Sequence, residues 1–217
     1  MTDSITLPTT DVFFFVDLET SGLDFEQDRI VEIGWHFADE RLNKIGPIFA
    51  TAVHPVGAAL QRIEANEYVF NMHKGTGLLD MLLASDGDNR LPSLSSVEDD
   101  ILEMMEDIEG ENPEVTFVWH PVGRSVHFDV RFIERFMPRL FQKLSHRILD
   151  ISSLKLWLGA QGAQLDIIIA LTDTSNAVAH RAGYDVTEDT AFLHALSEIA
   201  QFQEGVAVFG GDAMEEV

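Results

Sequence analysis

The chain has 217 residues, a length that fits a single domain. Hydrophobic residues make up 46% of the sequence, which is enough for a core, and the absence of cysteine excludes disulfides and thiolate metal sites. The N-terminal residues contain no basic region, and no apolar run in the chain approaches the ~20 residues needed to span a bilayer. We therefore expect a cytoplasmic protein with no signal peptide and no membrane partner.

The formal net charge is −23, and the charges are unevenly distributed. Residues 80–114 hold twelve acids and one Arg, and residues 183–217 hold eight acids and no Lys or Arg. Residues 124–155, in contrast, hold seven of the fourteen basic residues and three acids. We interpret the acidic segments as solvated surface and the basic stretch as the part suited to an anionic partner. The acidic remainder would repel a long polyanion, which favours short substrates.

The hydrophobic pattern predicts an α/β fold built on a sheet of mixed direction. The first strand leads into Asp17 and Glu19. Strands over 28–38 and 41–53 follow, and then helices over 57–72, 78–83 and 95–108. A strand over 115–119 and a loop over 121–123 lead into helices over 125–136 and from 138. The remaining elements are a strand over 147–151, a helix from 152, a short helix around 167–169 and a final helix over 185–202. We expect residues 1–10 to be flexible, residues 11–204 to form one domain, and residues 205–217 to be a disordered acidic tail.

Asp17 and Glu19 follow an apolar run from Phe13 to Val16 and precede a turn at Ser21-Gly22. This pattern is typical of a buried strand, on which residues two apart share a face, so both carboxylates point the same way. Carboxylates buried side by side repel each other and lose solvation, and a hard divalent cation between them offsets both effects. Alternatively, the two acids cap the strand at the surface, and their spacing alone leaves both interpretations open.

Three other residues are candidates for the same site. Asp129 lies near the start of a predicted helix, and His180 precedes Asp185 by five residues around the start of the final helix. Each acid could be a helix cap, and a lone histidine is more often structural than functional. Beside Asp129 lies a basic stripe that recurs every four residues and consists of Arg131, Arg135, Arg139 and Lys143.

Three patterns follow one another over about 170 residues. Asp17–Leu23 matches Asp-x-Glu-(Thr/Met)-x-Gly-Leu, Ser125–Asp129 matches Ser-x-x-(Phe/Gln)-Asp, and His180–Asp185 matches His-x-Ala-x-x-Asp. In content, order and spacing, the sequence resembles the DEDDh family of 3′→5′ exonucleases. The resemblance implies a ribonuclease H-like fold, in which helices flank a mixed five-stranded sheet.

The resemblance also implies catalysis with two metal ions. Asp17, Glu19, Asp129 and Asp185 would be the catalytic metal ligands, holding two Mg²⁺ ions for which Mn²⁺ can substitute. His180 would be the general base, because imidazole titrates near neutral pH. Water would attack the terminal phosphorus and release a 5′-mononucleotide.

Within this family the sequence is similar to the oligoribonucleases. The similarity covers residues 71–78, 131–138 and 147–155 as well as the acidic motifs. It implies a homodimer that hydrolyses short single-stranded RNA. The implied substrate contacts are Leu23, Tyr68 and His73 at the two terminal bases, and Ser125, Ser152 and the partner subunit's Arg147 at the 5′-phosphate.

The sequence departs from the oligoribonuclease pattern at a few positions. Thr20-Ser21 replaces Met-Thr, Arg124 replaces an Asn, and Tyr184 replaces an Asp. The first change brings the motif nearer to the branches that act on DNA, so an exonuclease on DNA or on longer RNA is the alternative function. A non-catalytic nucleic-acid binding module is a third hypothesis, against which the intact acids and His180 argue.

Overall fold

The computed structural model describes residues 7–85, 90–162 and 180–210, with side chains up to residue 199. Its strands are β1 (Thr9–Thr20), β2 (Ile30–Ala38), β3 (Lys44–Ala52), β4 (Thr116–Gly123) and β5 (Leu149–Asp150). They form one sheet in the order β3-β2-β1-β4-β5. The pairs β1–β2 and β2–β3 are antiparallel, whereas β1–β4 and β4–β5 are parallel. The prediction of a mixed five-stranded sheet is therefore confirmed.

Helices flank this sheet. In the described residues they are α1 (Ala59–Ala65), α2 (Glu67–Gly75), α3 (Leu78–Leu83), α4 (Leu94–Glu111), α5 (His127–Phe136), α6 (Pro138–Lys143), α7 (Ile151–Ala160) and α8 (Ala182–Gly210). None of these helices is both long enough and apolar enough to cross a lipid bilayer. The short helix predicted around 167–169 lies outside the described residues, as do residues 1–6 and 211–217.

Cap chemistry explains two boundaries that the sequence pattern misplaced. The helix predicted over 57–72 is divided at Asn66, whose side chain accepts hydrogen bonds from the backbone N–H groups of Tyr68 and Val69 and so begins α2. Helix α4 begins after Ser93 rather than at Ser95, because the Ser93 hydroxyl accepts from the backbone N–H of Ser96 at 3.1 Å. Local side-chain bonds therefore set both helix starts.

Two further expectations differ from the structure, one in the sheet and one in the last helix. Residues 121–123, predicted as a loop, are the buried end of β4, where Val122 pairs with Phe15 of β1 and Leu149 of β5. Helix α8 begins at Ala182 and continues to Gly210, so residues 205–210 of the expected tail are helical. The first turns of α8 pack on the sheet through Val186 and neighbouring apolar residues.

The period-two alternation of β1 separates two cores. Val12, Phe14, Val16 and Leu18 belong to the cluster that packs under α4, α5 and α6. Phe15 belongs to the opposite cluster, which includes buried residues of α7 and α8. Asp17 and Glu19 continue the register of Phe15, so both carboxylates share the face that α8 covers.

Gly34 permits α8 to begin close to this face. It pairs with Asp17 across the β1–β2 ladder, and a Cβ at this position would lie 2.5 Å from the backbone carbonyl carbon and oxygen of Ala182. Only glycine leaves room for the start of α8 against β2. This contact fixes where the Asp185-bearing turn sits relative to Asp17.

We predict that Gly34→Ala lowers the free energy of unfolding by about 1–3 kcal/mol, because the added methyl group meets backbone atoms that cannot rotate away. Gly75→Ala is the matched control, since a Cβ at this helical glycine would meet no atom within 4 Å. Alanine there gains up to about 1 kcal/mol of helix propensity. Urea unfolding measures both variants, and equal midpoints would contradict the close-approach argument.

Candidate active site

Three carboxylates converge where β1 meets the start of α8. Asp17 and Glu19 end the buried part of β1, and Asp185 lies in the first turn of α8. One ligand oxygen from each lies within 4.8 Å of the other two. The Asp185 carboxylate also accepts a hydrogen bond from the backbone N–H of His180, which orients it from the preceding segment.

Asp129 joins this group from the other side of β1. It is buried in the first turn of α5, and its Oδ1 accepts the backbone N–H of Leu18 at 3.0 Å. Because Leu18 lies between Asp17 and Glu19, this bond fixes α5 against the acidic end of the strand. The structure thus brings together three of the four acids that the sequence singled out and places Asp129 beside them, on the backbone between Asp17 and Glu19.

The electrostatics of the cluster disfavour four free negative charges. Burial, followed by the charges of Asp185 and Asp189, raises the pKa of Asp17 to about 8 against the opposing charge of Arg124. Burial, followed by the charge of Asp17, raises the pKa of Glu19 to about 9. Burial and Asp17 likewise raise the pKa of Asp129 well above its ordinary value. Either bound protons or a bound cation can therefore reduce the negative charge of these carboxyls.

The donor set fits a hard divalent cation. Asp17, Glu19 and Asp185 offer only oxygen ligands, within a spacing that one small ion can bridge. A divalent charge also favours the ionised form of each carboxyl and so offsets the repulsion and burial that raise their pKa values.

His180 lies at the mouth of the acidic cluster. It is exposed and has a left-handed backbone conformation with φ 63°. Its side chain lines a cleft of about 510 Å³ together with residues of α2, namely Glu67, Tyr68, Asn71 and Met72. An exposed imidazole near Asp185 that also lines an open cleft can accept a proton from a water molecule entering the site.

His73 is placed differently from our expectation. Its side chain is 0% exposed, so it presents no surface to a nucleobase. Its Nε2–H donates to the Thr20 carbonyl at 2.8 Å, and its Nδ1, which has no hydrogen-bond partner, lies 3.8 Å from a Glu19 oxygen. Burial lowers its pKa and favours the neutral ring. His73 thus supports Glu19 from behind instead of lining the base cleft.

Leu23 and Tyr68, the other two expected base contacts, are open to solvent. They are 79% and 73% exposed, so both side chains are accessible to a ligand. Asp28 fixes the turn that carries Leu23. Its carboxylate accepts hydrogen bonds from the Ser21 hydroxyl and the Asp24 backbone N–H, and it pairs with Arg62 of α1. The apolar surface of Leu23 is therefore presented by a fixed turn.

At the expected phosphate end, Ser125 and Ser152 lie together, with 3.2 Å between their hydroxyl oxygens. Ser125 has a left-handed conformation with φ 52°, which turns the chain from the end of β4 towards α5. Arg147 is exposed just before β5. Its carbonyl accepts a bond from the His120 ring at 3.1 Å, which fixes the backbone while the side chain faces outwards.

Sequence reasoning missed three ion pairs around the cluster. Buried Glu32 binds Arg181 through both oxygens at 2.6–3.0 Å and also accepts the Ala182 N–H at 3.1 Å. Arg124 pairs with Asp185 at 3.0 Å and also with Asp189. The substitution of Asn by Arg124 was visible in the sequence, but its partners become evident only when β4 and α8 are brought together.

The basic stripe is largely used within the molecule. Arg139 pairs with Glu98 at 2.8 Å and also with Asp99, and Lys143 pairs with Glu109 at 3.0 Å, all of them acids of α4. The other two residues of the stripe stack on aromatic rings, with Arg131 3.9 Å from the Phe25 centroid. Our reading of this stripe as an anion-binding surface was therefore wrong for its second half, and part of the acidic segment has a packing role.

Comparison with known proteins agrees with this arrangement. No protein-family model matches the chain. It is 33% identical to an oligoribonuclease of Corynebacterium diphtheriae, covering 83% of this chain and 79% of that one. It is 30% identical to an oligoribonuclease of Salmonella typhimurium, covering 82% of this chain and 90% of that one. The chain belongs to the oligoribonuclease family.

Solved structures support the fold of this oligoribonuclease family member. The zinc-bound complex of E. coli exonuclease I with ssDNA superposes with a TM-score of 0.55 at 14% identity, and exonuclease I of Methylocaldum szegediense with 0.51 at 19%. Each comparison covers 92% of this chain but only 43% of the exonuclease I chain. At these identities the likeness concerns the fold alone, and it confirms the expected ribonuclease H-like architecture.

The raised carboxyl pKa values predict how stability depends on pH when no metal is present. The pKa of Asp17 rises from an ordinary 3.8 to about 8, and the pKa of Glu19 rises from an ordinary 4.5 to about 9 in the folded protein. Between these limits the folded state holds protons that the unfolded state has lost. Unfolding free energy should therefore fall from about pH 4 to about pH 9, by up to about 1.4 kcal/mol per pH unit for each group.

Urea unfolding in EDTA across this pH range measures the slope, and Asp17→Asn should make it shallower because one proton-binding group is removed. Adding Mg²⁺ should flatten it by favouring the ionised carboxylates. A stability that stays level with pH in EDTA, for both the parent protein and the variant, would contradict the raised pKa values.

Proposed function

We propose that this member of the oligoribonuclease family is a 3′→5′ exonuclease that hydrolyses short single-stranded oligoribonucleotides to 5′-mononucleotides. The observation that carries the proposal is the convergence of Asp17, Glu19 and Asp185 within 4.8 Å. This convergence lies beside an open cleft lined by His180 and Tyr68. Acid cluster, imidazole and exposed base-contact residues together form the parts that phosphodiester hydrolysis needs.

Asp17, Glu19, Asp129 and Asp185 would hold two Mg²⁺ ions, with Mn²⁺ as a substitute. When bound, such ions supply positive charge that favours ionisation of the attacking water and stabilises the leaving 3′-oxygen. Asp129 is held to β1 by the Leu18 N–H, so its free oxygen is the one available to a ligand. His73 backs Glu19 with a neutral ring and excludes bulk water from that side.

His180 would take the proton of the attacking water. Its side chain is exposed, and its backbone N–H is fixed on Asp185, so the imidazole stays next to the acidic cluster while it exchanges protons with solvent. An imidazole removes a proton efficiently near neutral pH, whereas the carboxylates around it would neutralise the bound metal ions. The left-handed backbone at His180 aims the ring towards the cleft.

The preference for short substrates has a structural basis. Leu23 and Tyr68 offer apolar surface for terminal bases on one side of the acids. The Ser125–Ser152 hydroxyl pair lies at the other side, where a 5′-phosphate of a short fragment would accept hydrogen bonds. Beyond these contacts the basic stripe is largely paired internally, so a longer strand gains little further attraction.

The experiment that tests the function follows product length over time on 5′-labelled RNA and DNA oligomers of two to about twenty nucleotides with Mg²⁺. We expect the RNA dinucleotide to be converted to mononucleotides fastest, with rates falling as length increases. An unchanged dinucleotide beside degraded long DNA would overturn the proposal and favour a DNA exonuclease. Bound but uncleaved oligomers would favour a non-catalytic module.

Asp17→Asn and His180→Ala are the control variants. Each should lower kcat on the dinucleotide by about 10²–10⁴-fold, because one removes a metal ligand and the other the proton acceptor. Circular dichroism checks that both variants remain folded. Turnover retained in either folded variant would show that the catalytic site lies elsewhere.

We also propose that the protein acts as a homodimer. Leu156 and Trp157 of α7 are 77% and 60% exposed, and Ile148 beside β5 is exposed as well. They surround the expected phosphate end, where Arg147 would reach Ser125 and Ser152 of the partner. A second copy would cover this apolar surface and complete both sites.

Sedimentation velocity at micromolar concentration tests the dimer. We expect a dimer in the parent protein and a shift towards monomer in Trp157→Glu, because a charge there would lie inside the interface. Leu83→Glu, at an apolar position of α3 that is 52% exposed, is the control and should stay dimeric. A monomeric parent protein would contradict the proposal. The cytoplasmic location expected from the sequence stays a prediction.

A further inference from the structure

Arg124 is a cation built into the acidic cluster. It follows the last residue of β4, and its Nη1 lies 3.0 Å from Oδ1 of Asp185. Its Nε contacts Oδ1 of Asp189, and its backbone N–H donates to Oδ2 of the same carboxylate at 3.0 Å. One residue therefore binds two acids on successive turns of α8, and one of them is a proposed metal ligand.

Asp189 is the partner that holds this guanidinium in place. Its carboxylate is almost fully buried, and it lies one helical turn after Asp185. Burial raises its pKa to about 6 against the lowering effects of Arg124 and Lys155. Asp189 lies outside the sequence motifs, and its carboxylate is not one of the three that converge. Its contacts in the described residues are with Arg124, so we expect it to act through Arg124.

We propose that Arg124 acts as an internal cation that occupies Asp185 in the metal-free protein and weakens the binding of the divalent ion. The proposal rests on the proposed function, because it takes Asp185 to be a metal ligand. The guanidinium and the divalent ion compete for the Asp185 carboxylate, and their positive charges repel each other. Stabilisation of the metal-free site by Arg124 is therefore partly lost when metal binds, which lowers metal affinity.

Asp189 moderates this competition. Its negative charge neutralises part of the guanidinium, which it contacts at Nε, and it also accepts the Arg124 backbone N–H, so the divalent ion meets a weaker positive field. Removing the charge of Asp189 leaves Arg124 with Asp185 as its remaining charged contact among those described, and the repulsion of the ion increases. The two residues should thus influence metal affinity in opposite directions, although they are paired with each other.

This opposition separates the proposal from a purely structural ion pair. If Arg124 and Asp189 only clamped β4 to α8, loss of either residue would misplace Asp185 and weaken metal binding in both variants. An internal cation instead predicts tighter binding when Arg124 is neutralised. It also predicts that the same change destabilises the metal-free protein, since the buried acids lose their counter-charge.

Isothermal titration of the full chain with Mn²⁺ and with Mg²⁺, in the absence of substrate, measures metal affinity directly. For Arg124→Asn we expect a Kd lower by about tenfold, because a unit charge close to a divalent ion is removed. For Asp189→Asn we expect a Kd higher by about tenfold for the opposite reason. Arg124→Lys keeps the charge and should stay near the parent value.

Thermal unfolding in EDTA supplies the second measurement. Arg124→Asn should lower the Tm of the metal-free protein by about 2–4 °C and increase the rise in Tm on adding Mn²⁺. A folded Arg124→Asn with unchanged or weaker metal binding would overturn the inference. So would an Asp189→Asn variant that binds metal as tightly as the parent, which decides the matter even if Arg124→Asn does not fold.

The parent titration distinguishes this inference from the proposed function. If the parent protein binds neither Mn²⁺ nor Mg²⁺, both the two-metal function and the role of Arg124 are overturned. If the parent binds metal and hydrolyses dinucleotides while the two variants shift affinity in the same direction, only the internal-cation role is overturned.

Discussion

Mutual repulsion among buried carboxylates is the constraint on which the rest of this structure depends. Asp17 and Glu19 share one face of β1, and α8 brings Asp185 against them, so like charges gather where water is scarce. The fold tolerates this repulsion because two arginines lie at the edges of the acidic cluster. Arg181 neutralises Glu32, which pairs with Glu19 across the ladder, and Arg124 contacts Asp185. Stability and metal affinity are therefore linked through the same few charges.

Precision in the site comes from anchors on regular elements. Asp129 is tied to the Leu18 backbone, so α5 cannot slide along β1. The start of α8 is tied to β2 through Glu32 and through the close approach at Gly34. A site supported by strands and helix starts holds its ligands more accurately than one supported by loops alone. Repulsion among the acids can then be strong without pushing them apart.

The four acids and His180 became candidates through the resemblance of their motifs to those of the DEDDh exonucleases, since spacing alone left strand-cap and helix-cap roles open. The sheet was equally accessible, since apolar runs such as Phe13–Val16 have few other interpretations. The burial of His73 and the partners of Arg124 could not be found in the same way. Both depend on contacts between segments 53 or more residues apart, which local periodicity does not encode. The loop predicted at residues 121–123 was wrong for the same reason, because Val122 pairs with the distant Phe15.

The pairing of α4 with the basic stripe has a consequence for how the protein would travel along a strand. Glu98 and Glu109 neutralise Arg139 and Lys143, so this flank of the molecule offers no continuous cationic track. Among the described residues, these internally paired side chains offer little attraction to a polymer whose terminal nucleotide has been removed. Each cleavage should end in dissociation, which makes the action distributive. A distributive mode of this kind would suit short fragments, which offer no further strand to follow.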